Sequence, residues 1–266
     1  LFGGAFGSYD YNKFVRDNEA GFKFPRQDTE VIKEVGDDIA ANTFVQIASM
    51  STHAKDYVKN GIYGGGRGFA NAKDIVDVHQ TYVHLHSATY NSRYAASLIT
   101  PLTPTVYGGG YYSKVENTLV DAVTGHVGTI YGGTAGMTAT LLNKEVSYNA
   151  GTTKVNIYNG MDNTSMIVYG AGPLAGANTT NVNLYGGVAN KVYGGSFAEG
   201  ICNNTNIFVP EGSTVSVNGL YGGSRGKQPN LPCDVIQSNI YFNSDKASVT
   251  DAIFGGNDFM RATKRS

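Results

Sequence analysis

Tryptophan is absent from this 266-residue chain, proline and cysteine number only 7 and 2, and charged residues make up 15%. Soluble globular domains carry roughly 25% charge, so little of this surface is built from ions. A formal net charge of −1 offers no electrostatic attraction for nucleic acid or for an anionic membrane. No apolar run approaches the ~18 residues of a membrane-spanning helix. The two cysteines, Cys202 and Cys233, allow one disulfide and do not require it. Few helix formers together with low charge also exclude a coiled coil or a disordered tail.

What the chain does contain is 35 glycines, 18 tyrosines and many asparagines and threonines. That mixture fits tight turns joining β-branched and aromatic strands. The glycines fall in a recurring phrase, an aliphatic residue, an aromatic one and two glycines. It reads Leu1-Phe2-Gly3-Gly4, Ile62-Tyr63-Gly64-Gly65, Val106-Tyr107-Gly108-Gly109 and Ile130-Tyr131-Gly132-Gly133. It returns at Val192-Tyr193-Gly194-Gly195, Leu220-Tyr221-Gly222-Gly223 and Ile253-Phe254-Gly255-Gly256, with Val168-Tyr169-Gly170-Ala171 as a decayed copy. Self-similarity of this kind marks a repeat architecture whose units bury their apolar faces only against neighbours.

A second strand pattern alternates with the first. It is legible at Thr43–Ile47, Asp74–Val78, Thr118–Ala122, Lys154–Tyr158, Asn181–Tyr185, Asn206–Val209 and Asn239–Phe242. Several copies open on an Asn-Thr or Thr-Asn pair, and period-two alternation bounded by such residues reads as a short strand. Unit lengths from Val106 to Ile130 and from Val168 to Val192 are both 24 residues. A propeller blade needs roughly 40 residues, and the fixed leucine frame of a leucine-rich repeat is missing. Two or three short strands per unit fit one coil of a parallel β-helix. Eight glycine-pair strands stacked at the usual spacing would give a rod about 35–40 Å long.

The expected fold is therefore all-β, a parallel β-helix or solenoid spanning residues 1–266 as one body with decorating loops. Insertions are expected over 5–41, 88–105 and 138–152, with a short helical turn in the charged stretch around Phe24–Glu34. The first and last phrases lie at the chain's two ends, so the reading expects a segment cut from a longer protein. Within each phrase the aliphatic member should face a common interior, burying about 1.5–3 kcal/mol per side chain. The glycine pair should serve a corner that demands positive φ or close backbone approach.

The aromatic member would form an outward ladder of Phe2, Tyr63, Tyr107, Tyr131, Tyr169, Tyr193, Tyr221 and Phe254. Such a ladder either fixes register by ring stacking or offers a strip that binds sugar rings or a partner chain. Asn42, Asn117, Asn181, Asn206 and Asn239 suggest structural asparagine ladders. His84 and His86 share a face of one strand at workable metal-ligand spacing, and Asp77 or His79 could add to them. Stacked coils would also bring Cys202 and Cys233 to neighbouring levels, either as a disulfide or as two buried thiols.

Catalytic chemistry is harder to find. Acids fall singly on different units, at Asp74, Asp77, Asp121, Glu145, Asp162 and Glu199, whereas a glycosidase needs two carboxylates facing one linkage. Lys114, Arg67 and Arg225 follow glycine pairs and read as solvated loop positions. Gly64-Gly65-Gly66-Arg67-Gly68 lacks the ending and helix of a P-loop. No cofactor is called for, and calcium enters only through a lyase-type alternative.

The phrases Val106-Tyr107-Gly108-Gly109-Gly110, Ile130-Tyr131-Gly132-Gly133, Asn178-Thr179-Thr180-Asn181-Val182-Asn183-Leu184 and Ile253-Phe254-Gly255-Gly256-Asn257-Asp258 resemble the β-strand repeats of large secreted bacterial surface proteins. Those are adhesin-like and autotransporter-passenger-like chains, and the resemblance covers essentially the whole sequence. It implies export to the cell surface, a right-handed parallel β-helix and a long parent protein, and it carries over no catalytic residue. The leading expectation is a non-catalytic extracellular stalk that meets a glycan or protein partner. The alternatives are a polysaccharide lyase or glycoside hydrolase of β-helix type, and a subunit that self-associates end to end into a filament or surface layer.

Overall fold

The computed structural model describes residues 42–47, 61–66, 78–86, 105–111, 115–136, 150–226 and 233–258. Fourteen strands and no helix occur among the described residues. In chain order they are β1 (Asn42–Ile47), β2 (Ile62–Tyr63), β3 (Val78–Leu85), β4 (Thr105–Tyr107), β5 (Val115–Gly125), β6 (Thr129–Tyr131) and β7 (Ala150–Met161). They continue as β8 (Ile167–Tyr169), β9 (Ala177–Leu184), β10 (Val188–Tyr193), β11 (Cys202–Val209), β12 (Ser216–Tyr221), β13 (Val235–Phe242) and β14 (Ser248–Phe254).

Odd-numbered strands make one seven-stranded sheet and even-numbered strands another, each in unbroken numerical order. Every pairing is parallel. Each odd strand and the even strand after it thus form a layer, and the chain crosses between sheets at every step. The even sheet is assembled from the glycine-pair phrases, with Ile130 opposite Val168 and Tyr131 opposite Tyr169. The odd sheet carries the second pattern, with Val155 opposite Val182 and Ile157 opposite Leu184.

The aliphatic members face inward as the alternation requires. Ile62, Val106, Ile130, Val168, Val192 and Leu220 are fully buried from the even sheet. They meet Val83, Val120, Val155, Val182 and Ile207 of the odd sheet in one apolar core. The same aliphatic position in the last layer is open, with Ile253 51% exposed and Phe254 50% exposed.

Three expectations shift. Strand β3 covers Val78–Leu85, so the repeat unit there is Thr81-Tyr82-Val83-His84-Leu85, later than Asp74–Val78. Residues 74–77 lie outside the described residues. Strands β4 and β7 begin at Thr105 and Ala150, inside the ends drawn for the insertions 88–105 and 138–152. The insertion over 5–41, the helical turn and the phrase Leu1-Phe2-Gly3-Gly4 lie outside the described residues.

The corner between sheets is held by a contact that recurs in every layer. The side-chain hydroxyl of a threonine on the odd strand donates to the carbonyl of the first glycine after the even strand. Thr43 bonds Gly64, Thr81 bonds Gly108, Thr153 bonds Gly170, Thr180 bonds Gly194 and Thr205 bonds Gly222, each at 2.5 Å. Thr118 bonds Gly132 in the same way, and Ser238 replaces threonine opposite Gly255. These carbonyls sit between layers, where an acceptor left without a donor costs about 1–3 kcal/mol. Replacing Thr180 by Val keeps the shape and removes the donor, so urea denaturation should show a loss of about 1–3 kcal/mol. Thr180→Ser should recover most of it; equal losses in both variants would remove the hydroxyl from the explanation.

Candidate functional site

The aromatic members stack as one column on the side of the even sheet that faces away from the aliphatic core. Ring centroids of Tyr63 and Tyr107 are 4.5 Å apart, and those of Tyr107 and Tyr131 are 5.1 Å apart. The column continues through Tyr131–Tyr169 at 5.0 Å, Tyr169–Tyr193 at 4.9 Å and Tyr193–Tyr221 at 4.8 Å. Phe254 closes it at 5.2 Å from Tyr221. Parallel strands in register place like side chains one strand spacing apart, which is why the ladder forms.

This column is less open than an outward strip would be. Tyr169, Tyr193 and Tyr221 are buried, and Tyr63, Tyr107 and Tyr131 are half-buried. Each inner ring has both faces against its neighbours, so ring edges and phenol oxygens are what it can present. Sugar recognition by aromatic side chains uses the ring face, and inner members of this ladder have none to give. Burial raises the phenols of Tyr107, Tyr131, Tyr169 and Tyr193 above their ordinary range, and the bond to Asp258 adds to the effect at Tyr193.

A charged cover lies over the C-terminal half of the column. The Tyr193 hydroxyl donates to Asp258 Oδ2 at 2.7 Å, and Lys191 Nζ lies 3.7 Å from the same oxygen. Arg225 donates to the Tyr169 hydroxyl at 3.3 Å and sits over the Phe197 ring, which meets Tyr169 edge-on. Arg225, expected as a solvated loop residue, therefore braces the ladder. Arg67 and Lys114 lie outside the described residues.

The outer face of the odd sheet carries a second polar arrangement. Register places His84, Asp121, Asn156 and Asn183 in one column, with Tyr82 two residues before His84. Asn183 Nδ2 donates to Asn156 Oδ1 at 2.7 Å, and Asn156 Nδ2 donates to Asp121 Oδ1 at 2.6 Å. From the other side the Tyr82 hydroxyl donates to Asp121 Oδ2 at 2.8 Å and lies 2.7 Å from His84 Nδ1. Asp121 is thus the common acceptor of two converging chains. Beside them the amides of Asn181, Asn206 and Asn239 form a ladder at 3.1 and 3.0 Å, whereas register places Asn42 and Asn117 in a different column.

His84 is half-buried, and burial lowers its pKa more than the carboxylate of Asp121 raises it. The folded chain therefore binds fewer protons at this site than the unfolded chain between the folded pKa and about 6.5, and stability rises with pH there. Denaturant midpoints should fall as pH drops through 6.5, and His84→Gln should flatten part of that slope. An identical slope in the variant would assign the effect to other groups.

The remaining candidates are placed apart. His86 is exposed beyond the end of β3 with its ring parallel to that of His84 at 5.9 Å. His79 pairs with Glu116 on β5, and His126 pairs with Asp162 at 3.1 Å. Glu199 is buried, and its Oε2 has no hydrogen-bond partner among the described residues. Asp74, Asp77 and Glu145 lie outside the described residues. No group of three or more His, Cys, Asp or Glu side chains suited to a metal occurs among the described residues.

Cys202 and Cys233 are both buried and are not bonded to each other in this structure. Strand register pairs Cys202 with Val235 and not with Cys233, which precedes β13. Burial pushes the Cys202 thiol up to about 11 and raises that of Cys233. Neither is a ready nucleophile in this state. No helix among the described residues is long and apolar enough to cross a membrane.

Sequence reasoning missed the threonine clasp and the converging chain on Asp121. The clasp had a signal, a hydroxyl residue two positions before the inward aliphatic one in every odd strand from Thr43-Phe44-Val45 to Ser238-Asn239-Ile240. No family model, curated protein or solved structure matches this chain.

Proposed function

We propose that this chain is a run of coils of a right-handed parallel β-helix, serving as a non-catalytic adhesive or structural stalk on the outside of a bacterial cell. The observation that carries this reading is the recurrence of one hydroxyl-to-glycine clasp and one aromatic stack through seven successive layers. Repeated residues tied to their own copies extend a body along one axis. Such a body is stable because each unit supports the next, and it presents long lateral surfaces to a glycan or protein partner.

The test joins binding to product analysis. The intact chain should bind at least one immobilised glycan or matrix protein and release no sugar fragments from a polysaccharide panel. Absence of binding across a broad panel, or release of fragments, would count against the adhesive role. A polysaccharide-processing reading draws on the oriented group formed by Asp121, Tyr82 and His84; unsaturated or reducing sugar ends that vanish in His84→Ala would favour it.

A further inference from the structure

We propose that His84 and His86 form a binding site for a first-row transition-metal dication such as zinc or nickel, with water or an outside ligand completing the coordination. His84 is the penultimate residue of β3, and His86 lies just past the end of that strand. Their rings are parallel with centroids 5.9 Å apart. His84 is half-buried and held by neighbours, while His86 is exposed.

The hydrogen-bond chain beneath His84 determines which nitrogen faces outward. The single Tyr82 hydroxyl proton is donated to the Asp121 carboxylate at 2.8 Å. The same oxygen, 2.7 Å from His84 Nδ1, can then only accept, so Nδ1 carries the imidazole proton. In the neutral ring the lone pair consequently resides on Nε2. An imidazole whose second nitrogen donates into a carboxylate-anchored partner is the arrangement that orients metal-binding histidines and raises their basicity.

Metal–nitrogen bonds of about 2.0–2.1 Å require the two ligating nitrogens to come within about 4 Å. The exposed His86 ring is therefore the one that turns, toward a His84 ring fixed from below. Imidazole ligands suit zinc, copper and nickel rather than calcium or magnesium. Asp121 lies on the Nδ1 side of His84, with Oδ2 at 4.0 Å from Nδ1, so it acts as the anchor of the chain and not as a ligand.

The test is calorimetric titration of the intact chain with zinc chloride and, separately, with nickel chloride in a non-chelating buffer. One site per chain is expected, weakened at least about tenfold in His84→Ala and in His86→Ala. Tyr82→Phe should weaken it about 10–100-fold by freeing the His84 ring to change tautomer. His79→Ala and His126→Ala should leave it unchanged. Nitrogen NMR of the unaltered chain gives a readout that no substitution can confound. His84 should show the Nδ1–H tautomer, and its Nε2 signal should move on adding zinc. No heat at either metal, full binding in His84→Ala or His86→Ala, or an Nε2–H tautomer would overturn the assignment.

Discussion

Gly170→Ala should destabilise the chain by at least about 4 kcal/mol, at the upper end of what one substitution does. A methyl group at this position would overlap the Gly194 carbonyl oxygen, far inside van der Waals contact. It would also lie 2.9 Å from Thr180 Cβ and 3.0 Å from the Gly194 carbonyl carbon. Two of those three obstacles are backbone, so no side chain can turn away to relieve the overlap. The requirement is spatial: Gly170 is not among the positive-φ glycines, which lie at positions such as Gly187 and Gly212. The first glycine of each phrase is thus kept by the approach of the next layer. An internal control exists in Gly255, the same position in the last layer, where an added methyl meets nothing within 4 Å. Gly255→Ala should change stability by no more than about 1 kcal/mol. Urea denaturation of the two variants side by side decides the point, and equal losses would remove close approach as the reason for the motif.

Ile207→Ala should cost about 2–5 kcal/mol. The side chain is fully buried in the core between the sheets, one level above Val182 and one below Ile240. Truncation removes its apolar surface and leaves a void that both neighbouring layers line, and strand spacing fixed by backbone bonds prevents those layers from collapsing into it. Ile236 lies on the adjacent strand β13, is 74% exposed, and provides the contrast. Ile236→Ala should shift stability by less than about 0.5 kcal/mol. A small loss at Ile207 would mean that the aliphatic column does not carry the stability of the stack.

The architecture was legible where one residue type repeats at one position. Val106, Ile130, Val168, Val192 and Leu220 identify their sheet and their inward face because a parallel, in-register ladder puts each copy over the last. The tyrosine stack follows from the same rule. Its burial was not legible, because Phe197, Arg225 and Asp258 share one position after their glycine pairs and one backbone bond to the neighbouring layer but differ in residue type, so that column carries no repeated side chain. The hydroxyl column was readable in the odd strands, but its pairing with the glycines was hidden. Its donor and acceptor are separated by 14 residues for Thr118 and Gly132 and by 27 for Thr81 and Gly108, so no fixed spacing betrays it.

The polar site shows the limit of reading a chain one strand at a time. His84 and His86 were visible as near neighbours in the sequence, but what orients His84 is Asp121, which lies on β5 and becomes its neighbour only through register. Asn156 and Asn183 join from two further strands. Strand β3 at Val78–Leu85 went unread beside the expected Asp74–Val78 for the same reason. Both stretches alternate, and pairing with Val115–Ala122 selects the one that aligns Thr81 with Thr118 and Val83 with Val120.

Pulsed spin-label distances along the odd sheet test the layered stack most directly. Asn117, Thr152, Thr179, Asn204 and Gln237 occupy one register column, and labels there, with Cys202 and Cys233 replaced by serine, report the rise per layer. Backbone separations of about 14 Å from Asn117 to Asn204 and about 19 Å from Asn117 to Gln237 are expected, three and four strand spacings respectively. Distances that rise by about two strand spacings per added layer, as an antiparallel meander would give, or that fail to lengthen, as a radial arrangement of sheets would give, would contradict the account.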